Sequence, residues 1–206
     1  MKKFLVTLAL VGAVAIYATP ARAEGDDAGA WLSMHVNKPF GQVYTMAHFE
    51  YRSCNQFRDS EVWFGLAAAG YKFSPWLKGD VSYEYWHIYP DAQIHKIVPC
   101  VTATLAQGPL SAAIREKLEY AINPAGNNSC TLRSRLRVQY SAPSCAVRPY
   151  LMSEIFTWSD WKRSLYYAGV EISVSKHSII DLYYVYHVPA GAPSQHVVGV
   201  GYVLNL

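Results

Sequence analysis

The amino-acid sequence predicts an all-β protein: an antiparallel transmembrane β-barrel of about 12 strands, with ten as the alternative, that follows a cleaved signal peptide. Three observations lead to this prediction. Apolar and polar residues alternate with the two-residue period of a strand in most segments. The chain contains 16 Tyr and 6 Trp, the side chains that form aromatic girdles on such barrels. After residue 23, no apolar run reaches the roughly 20 residues that a membrane-spanning helix needs.

The clearest alternation lies in segment 132–140, where Arg133, Arg135 and Arg137 occupy every second position and mainly apolar residues lie between them. After a turn, the next segment alternates in the same way and places Glu154 on the polar face. In a soluble β-sandwich the apolar face points to the core, whereas in an outer-membrane barrel it faces lipid and the charged face lines the interior. We interpret the pattern as the second arrangement.

The first 23 residues have the three parts of a secretory signal peptide. Lys2 and Lys3 form a basic start, residues 4–18 form an apolar run, and Ala21-Arg22-Ala23 forms a small-x-small cleavage site. The apolar run is too short to span a membrane as a helix. We therefore expect residues 1–23 to be a signal peptide and residues 24–206 to form a single outer-membrane β-barrel domain.

The charge balance argues against a nucleic-acid partner. Three of the 18 basic residues lie in the signal peptide, so residues 24–206 carry 15 basic and 15 acidic residues. A balanced charge provides no electrostatic attraction for nucleic acid. For an exported barrel we expect outer-membrane lipid and the barrel-assembly machinery as partners, and the bacterial outer membrane as the location.

The first four candidate strands are segments 30–37, 42–52, 61–73 and 76–88. Pro39-Phe40-Gly41 predicts the turn that joins the first two. Glu50 in the second strand and Glu84 in the fourth alternate with aromatic residues, which assigns them to the polar face. The third strand contains Gly65 and Gly70, which leave its facing ambiguous and indicate a bulge.

The fifth and sixth candidates are less regular. Segment 94–105 contains Pro99, which predicts an irregular strand because proline lacks a backbone N–H. Segment 110–120 fits a helix with apolar residues four apart, and also a strand. We favour the strand because both neighbours are strands, although it makes Glu116 face outward.

The last five candidates are segments 132–140, 149–158, 161–175, 178–188 and 196–206. The final one places an apolar residue at every second position up to Leu206, as expected for a strand that closes an outer-membrane barrel. Connections after odd-numbered strands are mostly shorter than the others, which suggests short turns on one side of the membrane. Eleven candidates are counted, but bacterial barrels usually have an even number, so we predict about twelve.

Four cysteines in an exported chain permit two disulfides in three connectivities. Cys54 and Cys130 fall at the same end of the predicted barrel, so we predict that they pair, and Cys100 and Cys145 remain unassigned. We do not expect a link between Cys130 and Cys145, because about ten strand residues span ~30 Å, far beyond the ~7 Å that a disulfide allows between Cα atoms. No cysteine has a metal-ligand spacing, so we expect neither metal nor cofactor.

Charged residues on the polar faces form the candidate site. A barrel of this size needs its interior filled or hydrated, and buried charges must pair. We interpret them as a lumenal network that makes the barrel rigid; the alternative is a small-solute, porin-like pore whose arginines favour anions. The predicted members are Glu50, Glu84, Arg115, Lys117, Glu119, Arg133, Arg135, Arg137, Glu154, Arg163, Glu171 and Asp181.

Two other functions remain as alternatives, although we predict that the protein is not an enzyme. The first is an outer-membrane lipid-modifying enzyme with a Ser-His-acid set near a rim. Its candidates are His87, His95, His187, His196, Ser82, Ser178 and Asp91, but no G-x-S-x-G motif occurs. The second is a soluble periplasmic β-barrel that binds an apolar ligand, which requires the apolar faces to point inward.

Segments 64–73, 133–140, 149–156 and 163–170 together resemble DUF2490, an uncharacterised family of bacterial outer-membrane barrels. The resemblance rests on a strand with Arg135-Leu136-Arg137, a strand from Pro149-Tyr150 to Glu154, and a strand from Arg163 to Gly169-Val170, in this order. It covers nearly the whole chain after the signal peptide. It implies an outer-membrane location, and because the family has no known activity it implies no catalytic residue. The terminal Leu206 and the four cysteines depart from the family pattern.

Overall fold

A computed structural model describes residues 27–124, 126–158 and 160–206. The predicted signal peptide, residues 1–23, lies outside these ranges. The described chain forms one closed β-barrel of eleven strands, so the all-β barrel prediction is confirmed. The strands are β1 Asp27–Phe40, β2 Val43–Cys54, β3 Asp59–Lys72, β4 Leu77–Ile88, β5 Ala92–Gln107, β6 Leu110–Ile122, β7 Ser129–Tyr140, β8 Val147–Trp158, β9 Asp160–Ser173, β10 Ser178–Pro189 and β11 Gln195–Asn205.

The barrel closes through a parallel pair of strands. All neighbours along the chain are antiparallel, and β1 pairs with β11 in parallel from Asp27–Gln195 to Asn37–Asn205. An odd number of alternating strands makes the first and last run in the same direction, so closure requires a parallel ladder. The eleven strands of the described residues fall between the predicted ten and twelve.

The barrel has two rims. We call the end where β1 begins the amino rim, and the opposite end, where β11 stops, the carboxy rim. The connections at the amino rim include residues 55–58, 89–91, 123–128 and 190–194, and those at the carboxy rim are 41–42, 73–76, 108–109, 141–146 and 174–177. Their lengths are similar, so the predicted difference between short and long connections is wrong.

Segment 110–120 is a strand, as predicted, and its pairing with β5 is interrupted at Pro99. The β5–β6 register pairs Ile97 with Tyr120 and resumes at Cys100 with Lys117. Proline donates no backbone hydrogen bond, which accounts for the interruption. Near the amino rim, two bulges shift the register by one residue: Glu61 of β3 is the extra residue opposite Arg52 and Ser53, and Lys162 of β9 is the extra residue opposite Phe156 and Thr157.

Apolar side chains point outward from all eleven strands, and the buried charged side chains point inward. Glu84 is 1% exposed and Glu154 is fully buried, whereas Leu136 is 47% exposed. A soluble ligand-binding barrel requires the reverse facing. Exposed outward residues, one from each strand in chain order, are Leu32, Phe49, Tyr71, Val81, Ile97, Ile114, Leu136, Leu151, Tyr166, Leu182 and Val200. No helix of the described residues is long and apolar enough to cross a membrane.

Apolar side chains fill the amino half of the interior. Phe64 and Trp86 stack with their ring centroids 4.1 Å apart. A second cluster packs on the other side of the barrel and also contains Tyr150 and Tyr167. Together they form what we call the amino plug, whose buried members are Trp31, Val62, Phe64, Trp86, Phe156, Leu165, Val185 and Val197.

Three interior tyrosines each lie over a glycine of the next strand. The pairs are Tyr44 with Gly70, Tyr150 with Gly169 and Tyr183 with Gly199, and each pair is directly opposed in the register. A Cβ atom on these glycines would lie 2.0–2.6 Å from the nearest ring atom, so only glycine leaves room for the ring. The glycines therefore allow bulky polar rings to lie flat against the inner wall.

Candidate functional site

Glu154 of β8 is the centre of the charged interior. Its carboxylate accepts hydrogen bonds from Arg133 Nη2 at 2.5 Å, from Arg115 Nη2 at 3.4 Å and from Arg135 Nε. The Tyr167 hydroxyl donates a further bond at 3.5 Å. Because neighbouring strands β6 and β7 direct Arg115 and Arg135 to the same height, one carboxylate holds three guanidinium groups.

Two further carboxylates extend the network around the barrel. Glu119 accepts hydrogen bonds from Lys96 Nζ at 2.9 Å and from Arg133 Nη1 at 3.3 Å, so Arg133 bridges Glu119 and Glu154. Glu84 accepts bonds from Lys117 Nζ at 3.4 Å and from the indole of Trp86 at 2.9 Å. These ion pairs connect strands β4 to β8 across the interior.

A second group lies toward the carboxy rim. Glu171 of β9 accepts hydrogen bonds from Arg137 Nη2 at 2.6 Å and from the Gln139 amide at 2.8 Å, and Arg148 Nη2 lies 3.3 Å from the same carboxylate. The guanidinium of Arg137 also lies 3.9 Å from the ring centroid of Tyr150. Tyr150 in turn donates its hydroxyl to Asp181 at 3.0 Å.

Cations also insert between the rings of the amino plug. Arg52 donates to Glu50 at 2.6 Å while its guanidinium lies 3.9 Å from the Trp31 ring. Arg163 stacks 4.1 Å from the ring of Phe156. A guanidinium over an aromatic face keeps a favourable electrostatic contact away from water, so these cations pack with the apolar residues.

All twelve charged residues predicted from the sequence lie on inward-facing strand positions, and eleven of them take part in the ion pairs and hydrogen bonds described above. The exception is Arg163, whose guanidinium stacks on the ring of Phe156, which Arg133 of the network also contacts. Sequence reasoning omitted Arg52, Lys96 and Arg148, which pair with Glu50, Glu119 and Glu171. Arg52 follows the alternation of its strand and was detectable, whereas Lys96 lies beside the irregularity at Pro99.

The network surrounds a cavity of about 170 Å³, which has room for on the order of ten water molecules. Its floor includes Trp31 and Phe64 of the amino plug. Exposure of the charged side chains rises from 0% at Glu154 to 24% at Arg137 and 28% at Arg148. The cavity therefore opens toward the carboxy rim and ends at the amino plug.

The predicted disulfide between Cys54 and Cys130 does not form in the structure, where all four cysteines are free. Both residues lie at the amino rim, as expected, but on β2 and β7. Those strands are five positions apart among eleven, on opposite sides of the barrel, so the thiols lie too far apart to bond. The described residues also contain no group of His, Cys, Asp and Glu able to hold a metal ion.

The serines considered for a Ser-His-acid set lie apart from the histidines, which are near the amino rim. His95 and His196 point outward and lie 2.5 Å from the hydroxyls of Tyr83 and Tyr184. Ser178 begins β10 at the carboxy rim, whereas His187 lies nine residues further along the same strand, about 30 Å away. Ser178 therefore lies at the opposite rim from these histidines.

Residues 28–196 match the model of a family described as "Protein of unknown function (DUF2490)". The match includes ten complete strands or nearly so, and all the charged residues of the interior described above. No curated protein matches the chain. No solved structure matches it.

Proposed function

We propose that this chain, which belongs to the DUF2490 family of proteins of unknown function, is an integral outer-membrane β-barrel whose charged interior makes the wall rigid. The observation that carries the proposal is the apolar exterior, to which every strand contributes exposed side chains. Exposed apolar patches on soluble monomers rarely exceed a few hundred Å². An apolar surface around a whole barrel is stable only when lipid covers it.

The dimensions and the aromatic residues support the same proposal. The strands contain 11–16 residues, and about 9–11 tilted residues cross the hydrocarbon core of a bilayer. Amphipathic aromatic rings favour the headgroup level at each interface. Exposed aromatic residues near the amino rim include Tyr89, Tyr120, Trp158 and Trp161, and those near the carboxy rim include Phe40, Tyr71, Trp76, Tyr140 and Tyr202.

The interior supports a structural role in preference to a porin-like role. Ion pairs join the inner faces of strands β4 to β8, and the amino plug fills the half of the interior below them. A porin instead keeps an aqueous channel open from rim to rim. We therefore propose a closed barrel that acts through its rigid wall and its surfaces, with outer-membrane lipid and the barrel-assembly machinery as its partners.

Cell fractionation combined with gel mobility tests the location. We expect the full chain in the outer-membrane fraction, extractable with detergent, and migrating faster in unheated samples than in heated samples because the barrel stays folded. A soluble periplasmic protein and a known barrel, processed together with it, serve as controls. Recovery in the soluble periplasmic fraction would contradict the proposal.

Planar-bilayer recordings test the closed interior. We predict no steady conductance for the wild-type protein, because the amino plug blocks the path between the rims. Removing two plug side chains together, Trp31→Ala with Phe156→Ala, should produce ion-conducting openings. The matched control is Trp158→Ala with Trp161→Ala, which removes two exposed rings. Steady anion-selective current through the wild-type protein would favour the pore over the structural role.

A further inference from the structure

The inner cavity presents more positive than negative groups. Its lining includes six cationic side chains, Arg52, Arg115, Lys117, Arg133, Arg135 and Arg137. It includes only three carboxylates, Glu50, Glu84 and Asp181. The positive groups concentrate on the β6–β7 side, because Arg115 and Arg135 are direct neighbours there and Arg137 is two residues along.

The carboxylates behind this wall are shared, which leaves positive charge uncompensated. Glu154 contacts three arginines, and Glu171 contacts Arg137 and Arg148. Five guanidinium groups and Lys96 therefore share four carboxylates: these two, Glu119, and Asp181, which lines the same cavity and interacts with Arg135 and Arg137. Like charges held this close in the interior of a barrel repel one another unless an anion lies among them.

Several buried donors on this wall have no partner among the described residues. They include the Nε–H groups of Arg115 and Arg137, which both line the cavity, and that of Arg148 toward the carboxy rim. A buried donor without an acceptor carries a desolvation cost, which a bound oxyanion removes. Guanidinium groups present parallel N–H donors that match the geometry of phosphate and carboxylate oxygens.

We propose that the cavity binds a compact soluble oxyanion, a phosphate or a small dicarboxylate, against Arg115, Arg135 and Arg137. The volume of about 170 Å³ admits a group of this size, and the rising exposure toward Arg148 provides the entry from the carboxy rim. Glu50 lies with Arg52 above the amino plug, and we expect the anion to avoid that side. The proposed site lies inside the folded barrel, so anion binding does not depend on which membrane surrounds the barrel.

Calorimetric titration of the purified full chain in a neutral detergent tests the site. The probes are inorganic phosphate and succinate at low ionic strength, with a short-chain phosphatidic acid to distinguish a free anion from a lipid headgroup. We expect one equivalent of phosphate or succinate to bind. Arg115→Gln and Arg137→Gln should each weaken binding about tenfold or more, because each removes a charge-assisted hydrogen bond. Arg58→Gln, in the exposed 55–58 connection, is the matched control.

Gel mobility of the unheated sample checks that each variant is folded before its titration. Arg137→Lys keeps the positive charge and should therefore lose less affinity than Arg137→Gln. The proposal is overturned if the folded wild-type protein binds neither phosphate nor succinate. It is also overturned if binding persists unchanged in both glutamine variants, or if phosphatidic acid binds and the free anions do not. A failed fractionation experiment with intact anion binding would reject only the membrane location.

Discussion

Replacing Glu154 with leucine should destabilise the barrel by at least about 3–5 kcal/mol, the cost of leaving buried charges without their partner. The carboxylate is fully buried and binds Arg115, Arg133 and Arg135, so a single change leaves three guanidinium groups facing one another. The free energy of unfolding, measured by urea titration of tryptophan fluorescence in lipid vesicles, gives the loss directly.

Glu116→Leu is the matched control for Glu154→Leu. Glu116 lies on the outer face of β6, where it accepts a hydrogen bond from Ser134 at 2.6 Å, and it contacts none of the interior cations. Removing a carboxylate from an outer surface that faces lipid should leave the barrel equally stable or more stable. Equal losses in the two variants would mean that the interior network does not stabilise the fold.

Leu136→Arg should make folding into a bilayer less favourable by about 2–4 kcal/mol, because it places a cation on the lipid side near the middle of β7. Leu136 is 47% exposed and points outward, while its neighbour Arg135 points inward to Glu154. The measurement is reversible folding into vesicles, monitored by denaturant titration.

Arg135→Leu probes the opposite face of the same strand. It removes one of the three cations that bind Glu154, and two remain. The barrel should therefore lose up to roughly 3–5 kcal/mol of folding stability if its interior is dry, and much less if the interior is hydrated. A harmless Leu136→Arg together with improved insertion of Arg135→Leu would show that the two faces of β7 are exchanged.

The strands and their facing were predictable because alternation is a local property of the sequence. Alternate residues of an extended chain share one face, so Arg133, Arg135 and Arg137 all point to the interior. Segment 110–120 was harder, since its apolar spacing also fits a helix, and the outward Glu116 that argued against a strand is indeed on the outer face.

Properties that depend on the whole barrel could not be predicted from local pattern. The strand sequence places Cys54 and Cys130 at one rim, but only the closed strand order separates them around the circumference. The parallel β1–β11 ladder likewise joins segments more than 150 residues apart. The amino plug is hidden in the sequence because residues such as Phe64 and Val185 interrupt the polar face with apolar side chains.

A nitroxide scan of β7 measures most directly whether the apolar exterior lies in lipid. Single labels at residues 132–140, in a chain whose four cysteines are serine, would be placed in vesicles and their collision rates with oxygen and with a water-soluble nickel chelate measured. We predict that oxygen accessibility alternates with a period of two residues, with maxima at Leu132, Leu136 and Val138 and minima at Arg133, Arg135 and Arg137. Maxima at the arginine positions, or uniform access of the nickel chelate to both faces, would contradict a barrel with its apolar face in the membrane.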